Sequence, residues 1–391
     1  MSGATSVAGH AQPGGVDYFS GQSGATAAHQ WELCSGPLPP RGVQAVQSLS
    51  SDTDEQGDAM YIGEQLNDLS DRKLTWVAQL GVEHIAVNST RGTAIENEDG
   101  TWNVQGIKDT QARLGEFGIT MDVLTLDLQS TYMTKQRYPS IMQALPQRDA
   151  DIEIIKQNVR AAGEAGVPCL KYNLNFLGVP RTGRMPGRGG ALYSHFDINK
   201  WTDHTLTEAG PISEERAWEA ITYFLEQVVP VAEKAGVRLA CHPHDPAVPR
   251  DTGLRGVHCV LGTVDGLKKF IDIAPSAYNG FNFCQGTVAE MLEHPATEVF
   301  DVIRYLGERK KIFMVHFRNI KGGFLNFVEV YPDNGDVDFY ASMRLYKELG
   351  YQGMFLPDHV PHSDVDPDNE RQHSFCLGYI RALIQVVNSD A

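Results

Sequence analysis

Basic residues are scarce: 33 Lys plus Arg stand against 49 Asp plus Glu in 391 residues, a formal net charge of −16 at pH 7. Proteins that grip nucleic acid or an anionic membrane carry a basic excess or a basic run. Neither is present, which excludes both kinds of partner. A small acidic substrate stays open, because one local positive site can sit in a negative whole. Long apolar runs are also missing. No stretch reaches the 18 or more residues of a membrane-spanning helix, and the N-terminal residues lack the basic and apolar regions of a secretory signal, so the expected compartment is the cytoplasm. The six cysteines (Cys34, Cys169, Cys241, Cys259, Cys284, Cys376) have no CxxC pair or regular spacing. That excludes a disulfide framework and leaves reduced thiols. With 42% hydrophobic and 21% charged residues, the composition is that of an ordinary globular protein.

What is present divides in two. Residues 1–58 are rich in Gly, Ala, Ser and Gln, with six acidic residues against the single Arg41. They show no sustained period of 2 or 3.6, and a flexible low-complexity tail is expected. From Met60 to Ala391, short apolar runs alternate with amphipathic stretches, the pattern of repeated βα units. Eight strands are expected, at 61–63, 84–87, 120–124, 169–174, 237–241, 281–283, 312–315 and 353–356. Helical patterns lie between and after them, and five end at a glycine (Gly81, Gly118, Gly166, Gly236, Gly350) placed for a left-handed C-terminal turn. Eight units predict an α/β fold of the closed (β/α)8 TIM-barrel class. This region is longer than the roughly 250 residues typical of that barrel, so insertions are required. The largest spans 175–211, where Arg181, Arg184 and Arg188 are interspersed with glycines. It reads as a mobile surface loop or as a lid over the face where barrels place their chemistry.

The last four strands each run into a residue able to bind a metal: His242, Cys284, His316 and Asp358, at spacings of 42, 32 and 42 residues. One βα unit has about that length, so the four should meet at one rim of the barrel, where catalytic groups of this fold gather. Two imidazoles, a thiolate and a carboxylate suit a divalent first-row transition metal better than Ca²⁺ or Mg²⁺. Arg318, two residues past a ligand, is a candidate clamp for a substrate carboxylate. His359, beside another, is a candidate general acid or base. Lys171, Tyr172 and Asn173 at the end of the fourth strand, together with His244, are candidate substrate contacts.

The motifs Cys-His-Pro-His-Asp-Pro (241–246), Asn-Gly-Phe-Asn-Phe-Cys-Gln-Gly-Thr (279–287), Val-His-Phe-Arg-Asn-Ile-Lys (315–321), Asp336-Val337-Asp338-Phe339-Tyr340 and Pro357-Asp358-His359 resemble the mannonate dehydratase family. The resemblance covers the chain from about residue 60 and is strongest beyond residue 238. It implies a xylose-isomerase-like barrel that removes water from a sugar acid, D-mannonate, giving a 2-keto-3-deoxy acid with Mn²⁺ or Fe²⁺. The metal would fall on the same four ligands, and the acid/base role on His359. Two features depart from the family. Val360 follows the Asp-His pair where the family has Gly, and no Tyr occurs over 360–378, where His362 and His373 are the available acid/base groups. The alternative expectation is a metal-dependent isomerase, epimerase or lyase of the same barrel acting on another sugar or hydroxy acid. A homo-oligomer is compatible with the extra N-terminal arm and the long insertion.

Overall fold

Each expected strand forms, and a helix returns the chain to the start of the next. In this computed structural model residues 60–389 are described; the tail expected over 1–58 lies outside them. The order is β1 (Met60–Leu66), α1 (Asp71–Gln79), β2 (His84–Val87), α2 (Val104–Gly115), β3 (Thr120–Thr125), α3 (Pro139–Gln143), α4 (Arg148–Glu164), β4 (Cys169–Asn173), β5 (Gly183–Pro186), β6 (Leu192–Asp197), α5 (Glu214–Ala235) and β7 (Arg238–His242). It continues with α6 (Val264–Ile273), β8 (Asn279–Cys284), α7 (Gln285–Ala289), α8 (Pro295–Glu308), β9 (Ile312–His316), β10 (Asn319–Gly323), β11 (Asn326–Val330), α9 (Phe339–Glu348), β12 (Gly353–Leu356) and α10 (Glu370–Ser389). Eight strands close a parallel barrel in the order β1-β12-β9-β8-β7-β4-β3-β2. Among the described residues no helix is long and apolar enough to cross a membrane.

Local signals explain the boundaries. Ser213 caps α5 by accepting from the Arg216 N–H, and Glu214 and Glu215 in its first turn complement the helix dipole. The five glycines expected to stop helices all have positive φ, between 64° and 80°. Residues 285–308 form two helices, α7 and α8, because Pro295 cannot supply the N–H an uninterrupted helix needs and instead starts the second.

Strand alternation sorts side chains between two layers. Ala86, Val123, Cys169, Ala240, Met314, Met354 and Leu356 pack together as the fill of the barrel. Leu170, Tyr172, Leu239 and Cys241 belong to the larger core between barrel and helices. The top of the barrel interior, by contrast, is lined by polar residues.

The 175–211 insertion is not the loop its glycines suggested. It supplies β5 and β6, which join β10 and β11 in an antiparallel sheet of order β10-β11-β6-β5. Phe196 and Phe327 pair in register, are almost fully buried, and hold their rings 5.9 Å apart. Burying a side chain of this size contributes about 1.5–3 kcal/mol, which ties the excursion down beside the barrel mouth.

Candidate active site

Register brings the ligand-type residues level. His316 pairs with Cys284 on one side and with Leu356, two residues before Asp358, on the other, and His242 pairs with Asn173. The donor atoms of His242, Cys284, His316 and Asp358 all lie within 4.8 Å of one another. Beneath the mouth is a cavity of about 160 Å³, lined by Gln65, Asn88, Thr125, Lys171, Asn173, His242, His316, Asp358 and His359 among others.

The four residues are prepared to hold a cation. The Nδ1 of His242 lies 2.7 Å from the Pro243 carbonyl, so Nδ1–H donates there and the Nε2 lone pair is free. Burial, reinforced by His316, lowers the His242 pKa to about 3, so the ring is neutral as a ligand must be. His316 Nδ1 is 3.1 Å from Asp358 Oδ1, yet this buried nitrogen makes no hydrogen bond. Its Nε2 is 3.0 Å from the Asn282 amide, whose Oδ1 is also without a partner. A half-turn of that amide lets Oδ1 accept Nε2–H and leaves the Nδ1 lone pair for a metal. Cys284 Sγ lies 3.4 Å from Asp358 Oδ2, and burial pushes the thiol pKa up. A divalent cation reverses that, since a coordinating thiol is deprotonated. An orphaned imidazole nitrogen, a free lone pair, a thiol and a carboxylate form a donor set that fits a first-row transition metal.

A second trio, Asp245, Glu329 and His359, is equally close-set, but guanidinium groups occupy it. Arg181 lies 2.7 Å from Asp245 and also pairs with Glu329. Arg318 lies 2.9 Å from Asp245 and 3.0 Å from Glu290, pairs with Glu329, and takes Thr287 Oγ1 at 2.7 Å. Its side chain is fully buried. Arg318 is therefore not a free clamp for a substrate carboxylate, because its two terminal nitrogens are engaged by Asp245, Glu290, Glu329 and Thr287, with one of them also 2.8 Å from His359 Nδ1. Arg181, from the insertion, joins the same cluster. Its recruitment was not legible in the sequence, and neither was that of Glu329 on β11.

The other candidates separate by layer. Lys171 and Asn173 point into the cavity. Lys171 Nζ contacts Gln65 Oε1 and lies 3.4 Å from Asn88 Oδ1. Burial lowers its pKa to about 8, against the pull of Asp358 and Cys284. Tyr172, between them, points the other way and packs on Phe224 of α5, so it is core and not a substrate contact. His244 is likewise withdrawn: Nε2 donates to the Leu174 carbonyl at 3.0 Å and Nδ1 accepts from the Leu261 N–H at 3.2 Å. Burial lowers its pKa to about 4, consistent with a neutral tether between two loops. His244→Ala leaves two buried backbone groups unpaired, and a loss of about 2–3 kcal/mol in urea unfolding is expected. Metal content should be unchanged; a variant that unfolds normally but loses metal would put His244 in the site after all.

Asp358 and His359 also open into an outer cleft of about 420 Å³ that contains Arg184, Glu329, His362 and His373. His359 Nδ1 lies 2.9 Å from Glu329 Oε1. Burial opposes its charge, but Asp358 and Glu329 outweigh that and raise its pKa. His362 is held by two backbone hydrogen bonds with Leu192 of β6, at 2.7 and 3.0 Å, which fixes it at the cleft wall. His373, in the first turns of α10, bonds Glu64 of β1 at 3.0 Å. Glu64 was missed, although an acid inside the otherwise uncharged run Met60–Leu66 is a visible signal.

A model of the family described as D-mannonate dehydratase (UxuA) matches residues 197–386. The mannonate dehydratase of Streptococcus suis (strain 05ZYH33) is 27% identical over 290 residues, covering 66% of this chain and 74% of the relative. That of Thermotoga petrophila is 24% identical over 294 residues, covering 66% and 78%. Among solved structures, the mannonate dehydratase from Streptococcus suis serotype 2 superposes with a TM-score of 0.70 at 23% identity, over 84% of this chain and 95% of that one. A xylose isomerase domain protein from Planctomyces limnophilus gives 0.55 at 13% identity, over 85% and 99%. These superpositions bear out the barrel fold.

Proposed function

From its similarity to the mannonate dehydratase family model and to mannonate dehydratases, we propose that the chain is a member of that family, a hydro-lyase converting D-mannonate to 2-keto-3-deoxy-D-gluconate, with Mn²⁺ or Fe²⁺ held by His242, Cys284, His316 and Asp358. The observation that carries this reading is the convergence of those four donors over a small polar cavity. A cation bound there polarises the substrate's carboxylate and adjacent hydroxyl, and so acidifies the proton at C2.

The chain's own residues supply the rest. Lys171 is the cation inside the cavity and offsets the substrate's negative charge, in place of the withdrawn Arg318. Gln65, Asn88, Thr125 and Asn173 offer hydrogen bonds to a polyol chain. His359, oriented through Nδ1 by Glu329, presents Nε2 to both cavity and cleft as a proton carrier. Dehydration needs one group to take the C2 proton and another to give a proton to the departing C3 hydroxyl, and His359 serves as the first.

Protein loaded anaerobically with Mn²⁺ or Fe²⁺ is expected to form a 2-keto-3-deoxy acid from D-mannonate, followed by NMR, and to form none after chelation. If no aldonic acid in a stereochemical panel gives such a product, the reading is wrong.

A further inference from the structure

Three imidazoles, those of His359, His362 and His373, line the outer cleft, and the proposed function uses only the first. His373 comes from α10, and the position of that helix is fixed by contacts to α1: Glu370 pairs with Arg72 at 2.8 Å and Lys73 at 2.7 Å, and Trp76 Nε1 donates to Ser374 Oγ at 3.3 Å. Its Nδ1 faces Glu64, whose side chain is only 3% exposed. One Glu64 oxygen accepts the Gln65 N–H at 2.8 Å, and the other meets His373 at 3.0 Å. Among the described residues the imidazole is the only ion-pair partner of this carboxylate. With Nδ1 so held, Nε2 is left without a protein partner on a ring that lines the cleft shared with His359 and Asp358. Carboxylate, imidazole and open cleft in that sequence make an oriented proton carrier.

We propose that His373, positioned by Glu64, is a second acid/base group of this site and protonates the hydroxyl that leaves C3. The inference rests on the dehydratase reading. The C2–H pair becomes the C2–C3 double bond as the C3–O bond breaks, the C2 proton goes to His359, and the leaving oxygen takes the Nε2 proton of His373 and departs as water. The enol product then shifts its O–H proton to C3, and solvent in the open cleft restores His373 while accepting the proton from His359. The charged groups facing His373 are Glu64 from β1, Lys73 from α1 and Asp358 after β12. Burial disfavours its protonated form and Lys73 adds to that, but Glu64 and Asp358 prevail, so its pKa is raised and the acid form is favoured.

The test compares D-mannonate with its 3-deoxy-3-fluoro analogue, since fluoride leaves without a proton. In His373→Gln, kcat on D-mannonate should fall about 100-fold while elimination of fluoride changes by no more than about twofold. Equal losses on both substrates, or no loss, would overturn the assignment. Glu64→Gln should lower kcat on D-mannonate about tenfold with KM unchanged. In the metal-free protein it should also shift the NMR titration of His373 to lower pH; an unmoved titration removes Glu64 from the proposal. Should His373→Gln not fold, Glu64→Gln alone decides through the same two-substrate comparison. If the unaltered enzyme dehydrates no aldonic acid, the family function fails and this role with it. If it dehydrates D-mannonate and His373→Gln does so equally well, only the present proposal fails.

Discussion

Cys284→Ser is expected to abolish stoichiometric binding of Mn²⁺ or Fe²⁺ and to lower turnover by about 1,000-fold or more. Loss of a residue that merely orients a ligand typically costs about 10- to 100-fold in metal affinity, and Cys284 is itself a donor. The substitution is well suited to isolating that role. Cys284 is also the N-cap of α7, its Sγ accepting the Thr287 N–H at 3.4 Å, and Ser is among the best residues for that position. The metal-free variant should therefore unfold at the same denaturant concentration as the parent. A second readout follows from the thiol, whose pKa burial holds above its ordinary value. It is protonated in the metal-free protein and must lose that proton when metal binds. Calorimetry in buffers of different ionisation enthalpy should show proton release on binding, and the affinity of the parent should rise with pH. Full metal occupancy in Cys284→Ser would remove the thiolate from the ligand set.

That prediction is legible in the sequence, because it depends on features with a local signature. An apolar run ending in His, Cys or Asp, repeated at the length of a βα unit, places the residue at a known rim of a known kind of barrel. Glycines at 81, 118, 166, 236 and 350 marked helix ends because each needs a positive φ that other residues resist. The accessory sheet had no such signature. Arg184, Met185 and Pro186 of β5 are exposed, and β6 pairs with β11 about 130 residues away. Neither strand therefore repeats the pattern of a buried barrel strand, and a glycine-rich stretch looked like a loop. The division between Lys171, Tyr172 and Asn173 was in principle available from alternation. Which parity faced inward was settled by the register of β4 with β7, where Asn173 meets His242. Least legible were the partners of charged groups. Sequence order shows that Arg318 lies near the rim, but not that Asp245, Glu290 and Glu329 converge on it from three separate segments.

Arg318 is the residue on which the rest of the centre depends most, and Arg318→Met is expected to destabilise the protein by about 3–5 kcal/mol, the usual cost of removing one partner from a buried ion pair. The methionine keeps most of the apolar stem, so the loss is that of the guanidinium. Without it, Asp245 and Glu329 retain only Arg181 and His359 as counter-charges, and Thr287 Oγ1 loses its donor. The pH dependence should identify the cause. Burial opposes ionisation of Asp245, but Arg181 and Arg318 outweigh it and hold the carboxyl well below the usual range. For Glu329 burial is likewise outweighed, by His359 and the same two arginines. A carboxylate depressed in the folded state adds stability above its unfolded pKa of roughly 4, and that stability fades as pH falls through the folded value. In Arg318→Met the folded pKa values rise towards the unfolded ones, so the contribution at neutral pH shrinks. The difference between parent and variant should thus be largest near pH 7 and diminish on acidification. Arg318→Lys should not restore it, because a single ammonium cannot span Asp245, Glu290 and Glu329 as the planar fork does. Urea unfolding of the metal-free proteins at several pH values separates the outcomes. A deficit independent of pH would mean that Arg318 acts through packing, and no deficit would mean that the carboxylates are neutralised by other groups.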